Sequence, residues 1–67
     1  MKHRDLLIIL KDNGFVWTRT NKHHIYAKGA LSVAIPLKKD HSKGLIRRIF
    51  QQMQLDKEQV KRYMNER

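Results

Sequence analysis

Between residues 13 and 36 the chain is cut by turn formers into three short runs, and this punctuation constrains the fold more than any other feature. Asn13-Gly14 precedes Phe15-Val16-Trp17-Thr18-Arg19, Thr20-Asn21-Lys22 separates that run from His23 to Lys28, and Gly29 leads into Leu31-Ser32-Val33-Ala34-Ile35. The runs are rich in aromatic and β-branched residues and read as strands. Pro36 ends the third, because proline has no N–H to give to a sheet ladder. Strands joined by connections this short pair antiparallel, since a parallel neighbour needs a long crossover.

Helical patterns flank these strands. Leu6, Leu7, Ile9 and Leu10 form an apolar stripe that predicts a helix from about Arg4 to Asp12. Gly14 can then adopt the left-handed conformation that closes a helix. After the polar connection Lys38-Lys39-Asp40-His41-Ser42-Lys43-Gly44, apolar residues at 45, 46, 49, 50 and 53 predict a second helix from about Lys43 to Gln54. Asp40 and Ser42 are its capping candidates. Leu55-Asp56-Lys57-Glu58-Gln59-Val60 reads as a fresh helix start that runs to about Met64. Asp56 would be the N-cap, Gln59 its capping-box partner, and Leu55 with Val60 a hydrophobic staple. The expected fold is α+β, ordered α-β-β-β-α with a short C-terminal helix: a three-stranded antiparallel sheet with helices on one face. Phe15, Trp17, Val33, Ile35 and the helix stripes would form the core.

The 67 residues are expected to make one domain, a core over 1–55 with a helical extension over 56–67. A chain this short buries only about 60% of its unfolded surface, so its stability is small or leans on a partner. With no cysteine there are no disulfides, thiolate chemistry or cysteine zinc sites, which suits a reducing cytosol. Leu6-Leu7-Ile8-Ile9-Leu10 is far too short to span a bilayer, and the amino end lacks a signal-peptide pattern. The reading is a cytoplasmic protein without a membrane segment.

Fifteen Lys and Arg against six Asp and Glu give a net charge of +9. So basic a chain implies a polyanionic partner: nucleic acid, an acidic protein or an anionic membrane surface. The pair His23-His24 lies in this basic setting. Histidine alone titrates between pH 5 and 8 unperturbed, so it can both take and give a proton, as cleavage of an RNA backbone requires. The plain alternative is a half-exposed pair at the start of a strand. Strand parity separates the two. If Tyr26 packs with the helices, His24 shares its inward face and His23 faces out with Ile25; if Ile25 is the core residue, the roles reverse. The reading favours Tyr26 inside. No metal or other cofactor is expected, because His23 and His24 diverge and His3 and His41 lack ligand-spaced neighbours.

Gly14-Phe15-Val16 after an amphipathic first helix, His23-His24-Ile25-Tyr26, Val33-Ala34-Ile35-Pro36 and Lys43-Gly44-Leu45-Ile46-Arg47-Arg48-Ile49-Phe50 occur in an order that resembles the HicA family of toxins. The resemblance runs from about Lys2 to Leu55. It implies a fold like the double-stranded-RNA-binding domain, a metal-independent endoribonuclease acting on mRNA, and a HicB-like antitoxin as partner. In that family the active histidine follows Gly-Ser at the start of the second strand. Asn21-Lys22 occupies those positions here, and His23 is the matching residue.

Around His23, Lys22 and Arg19 flank it in sequence and can neutralise phosphate charge. Lys38, Lys39, Lys43 and Arg47 are further candidates for RNA contact; Lys43 and Arg47 share one helical face. His41, in a loop, reads as a bystander. Three rival readings stand beside this one: an RNA-binding module without cleavage, a DNA-binding protein, and a protein-interaction module whose charge serves solubility. The DNA reading is disfavoured because Leu45, Ile46, Ile49 and Phe50 commit the second helix to the core.

Overall fold

The computed structural model describes residues 1–65. Its elements follow the expected order: α1 (His3–Asp12), β1 (Val16–Thr20), β2 (His23–Lys28), β3 (Leu31–Pro36), α2 (Lys43–Gln52) and α3 (Lys57–Asn65). The strands form one antiparallel sheet in the order β1-β2-β3. The α+β class and the three-stranded meander are as the sequence predicts.

Local chemistry explains the ends of the helices. Gly14 sits at φ +85° just past α1, and the Phe15 N–H reaches back to the Leu10 carbonyl at 3.0 Å. The Ser42 hydroxyl accepts from the Leu45 N–H at 3.3 Å and caps α2, the role for which Asp40 was the other candidate. The capping box of α3 closes both ways: the Gln59 N–H donates to Asp56 Oδ1 at 2.8 Å and the Asp56 N–H to Gln59 Oε1 at 3.3 Å. α2 stops at Gln52, short of the expected Gln54. Gln54 instead takes φ 60°, and the Leu55 N–H bonds the Phe50 carbonyl at 3.2 Å, so the chain turns out of the helix there.

The core lies between the helices and the β3 side of the sheet. Leu6 and Leu10 of α1, Phe15, Val33 and Ile35 of β3, and Ile46, Ile49 and Phe50 of α2 are fully buried together. α3 closes the assembly: Leu55, Val60, Tyr63 and Met64 pack on this core, with the Tyr63 ring 5.7 Å from that of Phe50. Asn13 ties α3 to the end of α1. Its amide nitrogen donates to the Ile9 carbonyl at 2.8 Å and to the Tyr63 hydroxyl at 3.2 Å, and its oxygen accepts from Gln59 at 3.2 Å.

Trp17 corrects the expected core, being 56% exposed. It does face the helix side, opposite Tyr26, but β1 is the edge farther from α2, and the core is centred on β3 and α2, at the other edge. The indole stands over an open groove between β1 and α1, and its N–H goes to the Thr20 hydroxyl at 2.8 Å.

β1 also carries a bulge. Trp17 pairs with Tyr26 but Arg19 pairs with Ile25, so Thr18 is the extra residue. Strict alternation would put Arg19 on the same face as Trp17; the bulge puts it on the opposite, outer face. The Thr18 hydroxyl donates to the Ile25 carbonyl at 3.0 Å across the irregularity.

Candidate nucleic-acid interface

His23 opens β2 opposite Pro36, and His24 follows opposite Ile35. Paired residues share a face, and Ile35 is buried, so His24 and Tyr26 lie on the helix side while His23 and Ile25 lie outside. His23 is exposed in an open depression with Asn21, Lys22 and Ile25. Among the described residues its imidazole has no hydrogen-bond partner, which leaves both ring nitrogens open to an incoming group. Arg19, brought outward by the bulge, pairs across β1–β2 with Ile25 and therefore stands on the same face. Arg19, Lys22 and His23 thus share one surface.

The remaining basic candidates divide. Lys38 and Lys39 follow Pro36, the cross-strand partner of His23, so they lie at the same end of the sheet. There they line a second recess with Lys2, His3, Arg4 and His24. Lys43 and Arg47 are elsewhere: both are exposed on α2, with Lys43 near Met1, Ile46 and Met64 and Arg47 near Leu55, Val60 and Lys61 of the α3 side. The structure does not bring those two to His23.

The second recess contains an arrangement that the sequence does not reveal. His3 Nδ1 lies 2.9 Å from His41 Nε2, and the His3 ring is 5.4 Å from that of His24 and 5.2 Å from that of His41. His41 is 4% exposed, and its Nδ1 is buried without a partner among the described residues. A proton on that nitrogen would be an orphaned buried donor, so the network assigns the His41 proton to Nε2, donating to His3 Nδ1. His3 then keeps its own proton on Nε2. A second chain holds His24: the Trp17 indole donates to Thr20 Oγ1, and that hydroxyl and His24 Nδ1 share a hydrogen bond of 2.8 Å whose direction follows the imidazole tautomer. With the hydroxyl as donor, the His24 proton lies on Nε2.

Electrostatics follow from this crowding. Burial, with the nearby His24 second, lowers the pKa of His3 below the ordinary imidazole value. Burial lowers that of His41, reinforced by His3, the Met1 ammonium and Lys38, while Asp40 opposes. The amino end is held against the same loop: the His3 N–H bonds the Lys39 carbonyl at 2.8 Å and the His41 N–H the Met1 carbonyl at 2.9 Å. Nothing in the spacing of residues 3, 24 and 41 announces this meeting; only the inward parity of His24 gave a partial signal. Among the described residues no group of three or more histidines, cysteines or carboxylates is arranged to hold a metal ion, and no helix is long and apolar enough to cross a membrane.

No curated protein and no solved structure matches the chain. A family model, described as the HicA toxin of bacterial toxin–antitoxin systems, matches residues 3–55, which take in α1, the whole sheet and α2. The chain therefore belongs to the HicA family of toxins, a membership that implies a cognate antitoxin as its partner.

Proposed function

We propose that the protein is the toxin of a HicA/HicB-type pair and an endoribonuclease that cleaves mRNA in the cytoplasm with His23 as its proton-transfer group. The observation that carries this reading is the place of His23: exposed at the start of β2, on the face it shares with Arg19 and Lys22, in a chain of this family. RNA brings its own nucleophile, the 2′-hydroxyl. Cleavage needs a group to take the 2′ proton, charge to stabilise the phosphorane, and a proton for the leaving 5′ oxygen. His23 moves the proton, and no metal is required for it. Arg19 and Lys22 neutralise the phosphate, the guanidinium as a two-pronged donor. Lys38 and Lys39 hold the strand at the adjoining end of the sheet. Lys43 and Arg47, on the helix layer, add to the field that draws RNA in rather than to contact at the scissile phosphate.

His24 takes no part in proton transfer at that phosphate, because it points to the opposite face. One histidine supplies about 10²–10⁴-fold, so turnover is slow. The partner is a HicB-like antitoxin with an acidic surface that covers the His23 face, complementary to the net +9 charge.

The test is cleavage of a labelled single-stranded RNA in EDTA. His23→Ala should lower the cleavage rate about 10²–10⁴-fold with RNA binding retained, while His24→Ala still cuts. Wild-type protein that binds RNA and never cuts it would replace this reading with a non-cleaving RNA-binding module of the same fold.

A further inference from the structure

We propose that the recess beside His23 is a phosphodiester-binding subsite, in which the Nε2–H groups of His3 and His24 grip a backbone phosphate of the RNA within a rim of Lys2, Arg4, Lys38 and Lys39. The proposal rests on the reading that the chain binds RNA, and it adds a place where the strand is held outside the His23 depression.

Three observations carry it. The first is the pair of donors. The bond from His41 places the proton of His3 on Nε2, and the Trp17–Thr20 relay restrains the His24 ring and leaves its Nε2 outside that relay, so two imidazoles 5.4 Å apart turn one ring nitrogen each to donation in the recess they line. Side chains held by a supporting layer of hydrogen bonds are what a preformed anion site requires. The second is charge. Four cations line the recess with no carboxylate among the lining residues. The groups facing the imidazoles are Lys2 and Arg4 from the start of α1, Lys38, Lys39 and Asp40 from the loop after β3, the Met1 ammonium, and the Thr20 hydroxyl. Asp40 is the one acid in that set. Burial first, and after it the neighbouring His3, Met1 ammonium and Lys38, lower the pKa of His41, and an anion in the recess offsets the excess of positive groups. The third is size. An open recess of about 630 Å³ admits a phosphate with its sugar rather than a bare ion alone.

The two imidazoles differ in what a further proton does. A second proton on His3 forces an N–H onto the buried, unpartnered Nδ1 of His41 or breaks the bond between them. A second proton on His24 is accommodated, because its Nδ1–H can donate to Thr20 Oγ1, which has a second lone pair to accept it. His3 therefore acts as a neutral donor.

The experiment uses the full chain and a fluorescent 2′-O-methyl RNA oligomer, which lacks the nucleophile and is not cut. Its affinity is measured by anisotropy at fixed pH and ionic strength. His3→Leu and His24→Leu each remove one donor and should weaken binding about three- to tenfold. Lys38→Gln with Lys39→Gln should weaken binding and reduce the slope of log affinity against log salt by about two. Affinity unchanged in both leucine variants overturns the subsite. Thermal melts of each variant exclude misfolding. In the wild-type chain, the His24 Cε1–H resonance should shift on addition of the oligomer; a resonance that stays in place also overturns the subsite.

Unmodified RNA separates this proposal from the ribonuclease reading. Binding that depends on His24 without any cutting leaves the subsite standing and defeats the ribonuclease reading. Cutting that depends on His23, with binding indifferent to His24 and to Lys38 and Lys39, does the reverse.

Discussion

A proton added to either member of the His3–His41 pair ends in the same place. If His41 is charged, or if His3 is charged and donates to it, Nδ1 of His41 carries a hydrogen in a buried position without an acceptor. Both residues have pKa values lowered from 6.5, so between their lowered values and about pH 6.5 the unfolded chain binds more protons than the folded one. Stability is then complete above that window and falls as the pH drops through it. The melting temperature should decrease on acidification below about pH 6.5, and His41→Leu should flatten the decrease; an unchanged slope in the variant would assign the acid sensitivity elsewhere. Gln54 is a second residue at odds with its backbone. An L side chain at φ 60° is strained where glycine is not, so Gln54→Gly should stabilise the protein by about 0.5–1 kcal/mol in chemical denaturation. Neither effect has a sequence signature, because both depend on where the backbone goes after folding.

At the level of elements, the parts legible in the sequence are those with local causes. The Gly14 stop, the Ser42 cap and the Asp56–Gln59 box each involve residues a few positions apart, and each forms as read. The bulge at Thr18 depends on β1 pairing with β2, and the exposure of Trp17 depends on which strands the helices reach; both are decided between elements. α3 illustrates the same division. Its start was legible, but its attachment was not, since Asn13 and Tyr63 are far apart in the chain. Asn13→Ala removes the bonds to Tyr63 and Gln59 and should cost about 1–2 kcal/mol in a denaturation experiment, with the far-ultraviolet circular dichroism of the native state nearly unchanged. A loss of helical signal in the native baseline would mean that Asn13 is needed for α3 to form at all.

For the molecule as a whole, the basic charge and the outward histidine were readable, whereas the division of the basic residues into separate surfaces was not. Arg19, Lys22 and His23 occupy the outer face of the sheet, Lys38 and Lys39 its end, and Lys43 and Arg47 the helix layer. Contact order along the chain does not reveal such a partition; the turn of the sheet against the helices creates it. Replacing Lys43 and Arg47 together by glutamine should weaken RNA association mostly through a smaller salt slope, with cleavage at saturating RNA within about twofold of wild type. A loss of cleavage at saturation would place those residues at the reacting phosphate. The distribution of charge over the molecule also turns on one uncounted residue in β1. Because Thr18 is the extra residue opposite Ile25, that distribution rests on the ladder skipping it. A substitution there leaves every other strand residue facing as before. Deleting Thr18 removes the bulge yet keeps Arg19 next after Trp17 and so on the outer face, whereas a regular ladder that counted Thr18 would swing Arg19 beneath the sheet.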